Sequence, residues 1–159
     1  MALLTWLENL PLAVWTHESP SVWAQPTILT LHTMGMAVLV GASWVLDLRL
    51  LGISRSVPLS EFRWVFRTVG VGLVVNLITG VLLFMARATQ WGTAFPFLVK
   101  IALVVASAAT LLPLRTYVLS RDVDQHEVSS NARLLAILSI LAWAGAITAG
   151  RLLAYTVVG

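Results

Sequence analysis

Three ionisable side chains inside long apolar runs carry the chemistry open to this chain: His32, Lys100 and Arg151. His32 lies in Leu31-His32-Thr33-Met34-Gly35-Met36, about two turns into the first run. Lys100 is about two turns into the third run, and Arg151 about one turn from the end of the fourth. If successive runs alternate in direction, the three share one depth. Ionisable groups in an apolar span are costly and face a cavity, a partner or a ligand. An imidazole ligates haem iron, copper or zinc. Met36, four residues on, shares the helical face of His32 and adds a thioether suited to Cu(I) or haem iron. Two inward cations would neutralise haem propionates, a lipid phosphate or an anionic substrate. Gly80, near the same depth on the second run, would leave room for a flat cofactor. The alternative is structural: Lys100 and Arg151 snorkel to the interface, His32 bonds a backbone carbonyl, and Gly80 only lets helices approach.

A haem with two protein ligands needs them on opposite faces. His32 and Met36 share a face and cannot supply both within one chain. His126 belongs to the opposite end. His17, before Ser19-Pro20, is the remaining candidate, provided the N-terminal segment folds over the bundle mouth; otherwise it faces solvent. At the far end, Asp47, Arg67 and Arg115 each fall about one turn inside a run, and a clasp of Asp47 with either arginine is expected. Asp122, Asp124, His126 and Glu127 form a polar loop, read as solvated rather than metal-binding. No nucleophile elbow, His-Glu-x-x-His or phosphate loop is present, so the reading is electron transfer or metal handling, without a catalytic residue.

The elements that must position these residues follow from composition. Hydrophobic residues make up 58% of the 159, charged residues 11%. Four runs, 26–51, 62–86, 95–119 and 132–156, approach or exceed the ~20 residues that cross a bilayer as a helix. An all-α integral membrane protein is expected, an up-down four-helix bundle of residues 26–159 preceded by an interfacial segment, 1–25. In that segment Leu3, Leu7, Leu10 and Val14 recur at helical spacing, and Pro11 must begin, break or kink a helix. Trp6, Trp15, Trp23 and Trp91 suit the membrane interface. Ser60 is a plausible helix cap in the first connection. Gly72, Asn76, Thr79 and Gly80 mark a close-packing face of the second span; Gly145, Ala149 and Gly150 do so on the fourth.

Of the ten basic residues, seven group with the first and third connections: Arg49, Arg55, Arg63, Arg67, Arg115, Arg121 and Arg133. The other three are Arg87, Lys100 and Arg151. The positive-inside rule then places both termini outside, in the periplasm for a bacterial inner membrane. The basic residues flank spans and form no stripe, so the partners are lipid and a homo-oligomer or larger membrane complex, with no nucleic acid. With no cysteine there are no disulfides or thiolate ligands. Met1–Leu7 without a basic residue, followed by Glu8, is not a secretory signal.

The segments Leu31 to Met36 and Gly150-Arg151-Leu152-Leu153-Ala154-Tyr155 resemble the signatures of an uncharacterised family of small bacterial four-span membrane proteins, a domain of unknown function. More distantly, a histidine early in a small bundle is similar to the copper-resistance D-type membrane proteins and to di-haem b-type cytochromes. That resemblance implies a haem b or copper near the outer face. The cytochromes use several histidines within the spans; this chain has one. A non-catalytic accessory subunit of a larger complex stays open beside the cofactor-holding reading.

Overall fold

The computed structural model describes residues 1–120, 124 and 127–156. It is all helical. Two short helices, α1 (Ala2–Glu8) and α2 (Pro11–Glu18), precede the first long helix, α3 (Gln25–Leu50). A 3-10 turn, Leu59–Phe62, leads into α4 (Arg63–Met85). The four-residue α5 (Ala88–Trp91) separates α4 from α6 (Phe95–Val118), and α7 (Ser130–Thr156) ends the bundle. The four long helices are long and apolar enough to cross a membrane.

Proline sets several starts. Pro11, Pro26 and Pro96 occupy the first or second position of α2, α3 and α6, where the missing N–H has no partner to lose. Pro113 lies inside α6 instead, and the helix runs on to Val118. At the other end of α3, Gly52 takes φ 107°, and Ile53 donates its N–H to Leu48 at 3.0 Å. That six-residue return is a glycine C-cap, and it turns the chain sharply into the first connection.

Connections between successive long helices are short, so neighbours are antiparallel. α3 packs on α4 and on α7, and α6 packs on α7, whereas α4 and α6 meet only thinly. The glycines explain the close pairs. A Cβ on Gly72 would sit 3.0 Å from the Leu39 backbone nitrogen and 3.1 Å from the Gly35 carbonyl oxygen. On Gly145 it would sit 2.9 Å from Leu103 Cδ1. The expected small-residue faces of α4 and α7 are thus helix contacts.

The core is lopsided. Its buried apolar cluster includes Leu39, Leu46, Leu50, Val65, Val69, Leu114, Val118, Ala136 and Trp143, all towards the end that carries Asp47. Towards the opposite end, marked by His32, buried apolar residues such as Ile28, Leu83 and Leu153 are joined by Asn76 and Thr79. There α1 packs on α5 and α2 on α4. The Thr89 N–H donates to Glu8 Oε2 at 3.2 Å, tying α1 to α5. Of the expected apolar stripe, Leu7, Leu10 and Val14 are half buried and Leu3 is exposed, while Ala13 and Thr16 of α2 are fully buried.

The first connection is capped from a distance. Ser60 lies inside the 3-10 turn and caps nothing with its side chain. Leu59 and Ser60 instead donate their N–H groups to Asp124 Oδ1, at 2.7 and 3.3 Å. The third connection therefore latches onto the first. The Ser60 hydroxyl, these N–H groups and the Arg49 charge hold the Asp124 carboxyl below the usual carboxylate range.

Candidate functional site

His32 is half buried on the α3 face that meets α4. Its Nδ1 lies 2.9 Å from Thr79 Oγ1. The Thr79 hydroxyl has one hydrogen, and it donates this to the Val75 carbonyl at 2.7 Å, the usual back-bond of a helical threonine. With that back-bond kept, Thr79 Oγ1 accepts from His32 and the imidazole proton sits on Nδ1. Nε2 is left as a lone pair, and it makes no hydrogen bond among the described residues. A second brace fixes the backbone: Asn76 Nδ2 donates to the His32 carbonyl at 3.2 Å. Fixing one ring nitrogen by hydrogen bonding while the other points free is how proteins orient a ligand histidine.

Gly80 completes the seat. A Cβ there would come within 3.2 Å of His32 Cε1. The imidazole itself occupies the space that the missing side chain leaves. Gly80 therefore positions the histidine, where the sequence suggested room for a flat group. Asn76, Thr79 and Gly80 share one face of α4 at helical spacing. Asn76 and Thr79 had been read as packing residues only. The available signal was their polarity: a polar side chain in an apolar span requires a partner.

Lys100 comes in from α6. Its stem crosses Gly150 of α7, with Cδ, Cε and Nζ each 3.5 Å from a Cβ placed there. It is partly buried and within electrostatic reach of His32. The expected shared depth of His32, Gly80 and Lys100 is what the structure displays. Arg151 departs from expectation. It follows Gly150 by one residue, about 100° around the helix, and is exposed. It does not face inward beside Lys100.

The remaining candidates lie apart. Met36 is partly buried and packs against the apolar core, one turn from His32. His17 is exposed in the last turn of α2, and no contact brings it to His32. Asp47 is buried, but Arg67 and Arg115 are both exposed, and no ion pair joins them. The expected clasp is therefore absent: equal depth put the three together, but helical azimuth turned the arginines outward. Asp122 and His126 fall outside the described residues. Among the described residues, no group of three His, Asp or Glu side chains could hold a metal ion.

Two cavities lie at the Asp47 end, away from His32. One, of about 420 Å³, is lined by Pro113, Tyr117, Ser129 and Asn131; the other, of about 260 Å³, by Arg49, Arg55, Ser56 and Asp124. The chemistry at the His32 end is thus one oriented imidazole with a free Nε2, one ammonium, and no described carboxylate paired with either. No protein-family model, curated protein or solved structure matches this chain.

Proposed function

We propose that this is a small inner-membrane protein that holds one haem b near its periplasmic face and carries electrons. His32 Nε2 is the iron ligand. The observation that carries the reading is the 2.9 Å contact of His32 Nδ1 with Thr79 Oγ1, which braces the ring and, with the proton on Nδ1, leaves Nε2 for a ligand. Haem suits this residue set better than a bare ion, because the porphyrin brings four of the iron's ligands with it. A copper ion would have His32 and at most Met36, whose side chain packs into the core. Lys100 supplies a cation for a propionate. The thin contact between α4 and α6, which carry Gly80 and Lys100, is where a flat group costs the least packing. When bound, haem supplies a one-electron carrier; the chain supplies ligand, orientation and charge.

The test is the visible spectrum of the purified, reduced protein, with metal analysis. Sharp b-type bands that vanish in His32→Ala support the reading. Copper without visible bands, lost in both His32→Ala and Met36→Ala, would move the site to copper. Colourless, metal-free protein from cells supplied with haem and copper, with wild-type stability in His32→Ala, overturns the reading and leaves an accessory subunit.

A further inference from the structure

Four buried polar atoms have no hydrogen-bond partner among the described residues: Asp47 Oδ2, Ser139 Oγ, Trp44 Nε1 and Trp143 Nε1. All belong to two helices that pack together, α3 and α7. The Asp47 carboxyl and the Ser139 hydroxyl are neighbours across that contact, without meeting direct hydrogen-bond geometry. Trp44 is one turn back along α3 from Asp47. Trp143 is one turn on along α7 from Ser139. The helices are antiparallel, so both steps lead the same way, towards the His32 end. The four orphans therefore occupy two adjacent levels of one interface.

Ser139 behaves unlike its counterparts. Ser43, Ser107 and Thr79 each donate to the carbonyl four residues back. Ser139 makes no such bond, although it is fully buried. Nor does a charged group answer Asp47, since Arg67 and Arg115 are exposed. A native protein rarely leaves such groups unmet, and four together point to a bound partner.

The donor set selects that partner. Two indole N–H groups offer only hydrogens, Asp47 Oδ2 is an acceptor when ionised, and Ser139 can do both. A metal ion would face two N–H donors, and an anion would face a carboxylate. Water donates two hydrogens and accepts two, which matches the set. We propose that α3 and α7 enclose a bound water held by Asp47, Ser139, Trp44 and Trp143. The Asp47 carboxylate is then hydrated inside the bundle, and that water is the route by which it would take up or release a proton. The inference is independent of haem, because no residue in it belongs to the His32 site.

Hydroxyl-radical labelling by pulsed X-rays, on the intact protein in lipid nanodiscs, tests it. Radicals form at bound water as well as in bulk. Trp143 is 1% exposed, so bulk radicals do not reach it, whereas Trp23 is 72% exposed. The expected result is oxidation of Trp143 in a short pulse. That signal falls several-fold in Ser139→Ala and in Asp47→Leu, with Trp23 unchanged. Brief mixing into heavy-oxygen water gives a readout on the wild type alone, should either variant fail to fold. A held water leaves the light isotope on Trp143 while Trp23 carries the heavy one. An unlabelled Trp143 overturns the proposal. So does a Trp143 label carrying the bulk isotope from the outset, which means an open channel. Trp143 labelling that falls when sodium replaces choline assigns the place to a metal ion, and also overturns it.

Discussion

A single hydrogen decides the chemistry of His32. Where Thr79 gives its one hydrogen to Val75, its oxygen accepts from the imidazole and Nε2 is the lone pair. Thr79→Val keeps the shape and removes the acceptor. The Nδ1–H is then left half buried without a partner, at a cost of about 1–3 kcal/mol. With the ring no longer held, cofactor affinity should fall by roughly 10–100-fold, the usual effect of losing such a support. Thermal unfolding and haem content of the purified variant measure the two effects separately. Unchanged haem content in Thr79→Val would show that the hydrogen bond does not orient the ligand. Lys100 and Arg151 form a second residue-scale pair. Lys100→Ala should weaken haem retention by about 1.5–3 kcal/mol, the worth of a hydrogen bond to a charged group. Arg151→Ala should leave retention near wild type, because its side chain is exposed. The reverse ranking in a haem-transfer assay would place Arg151, not Lys100, on the propionate.

Depth along a helix was legible in the sequence; direction around it was not. His32 and Gly80 meet, with Lys100 in electrostatic reach, because their depths were right and their azimuths agreed. Arg67, Arg115 and Arg151 had suitable depths and point away, since each residue turns the side chain by about 100°. The four spans were legible from apolar length alone, because a helix satisfies its own backbone in lipid. The latch from Asp124 was not, as it joins residues 65 positions apart. At the element scale the tightest contact is Gly72 against α3. The atoms nearest to a new Cβ there include backbone N and O, which cannot swing aside. Gly72→Ala should therefore spread α3 from α4 and destabilise the protein by about 1–3 kcal/mol. Gly41→Ala is the control, as a Cβ there meets nothing within 4 Å. Equal melting temperatures for the two variants would contradict the close packing.

The latch also gives the connections a pH dependence. The Asp124 carboxyl is depressed, so its folded pKa lies below the unfolded value of about 3.9. A depressed acid stabilises the fold above its unfolded pKa, and that contribution is lost as pH falls through the folded one. The loss thus lies on the acid side of about pH 4. Asp124 is exposed, so solvent screens the effect and its size is small. The expected outcome is faster proteolysis of the first connection, around Arg55, as pH is lowered through that window. Asp124→Asn should show the faster cleavage already at neutral pH and lose the acid-side step. Identical cleavage rates at every pH in the two proteins would mean that Asp124 does not hold the connection.

At the scale of the whole molecule, two asymmetries run along the same axis. The main apolar cluster lies towards the Asp47 end, while α1 and α2 pack at the His32 end. The charges are asymmetric too. Among the described residues, Arg49, Arg55, Arg63, Arg67, Arg115 and Arg133 group at the Asp47 end, against Arg87, Lys100 and Arg151 at the other. Short connections rich in Lys and Arg stay in the cytoplasm, and this bias sets orientation. If all four long helices cross the membrane, the number is even and the two ends of the described chain lie on one side. By the positive-inside rule the expected orientation has the His32 end, with α1, α2 and the end of α7, outside. Reporter fusions should then report the connections around Arg55 and Asp124 as cytoplasmic, and a fusion after Thr156 as external. Moving the bias tests the cause as well as the result. Neutralising Arg49, Arg55, Arg63 and Arg67 together while adding basic residues around Thr89 should produce a mixed or inverted orientation. A wild-type C-terminus in the cytoplasm would put His32 and Lys100 on the cytoplasmic side, and the proposed haem would face the opposite pool of electron partners.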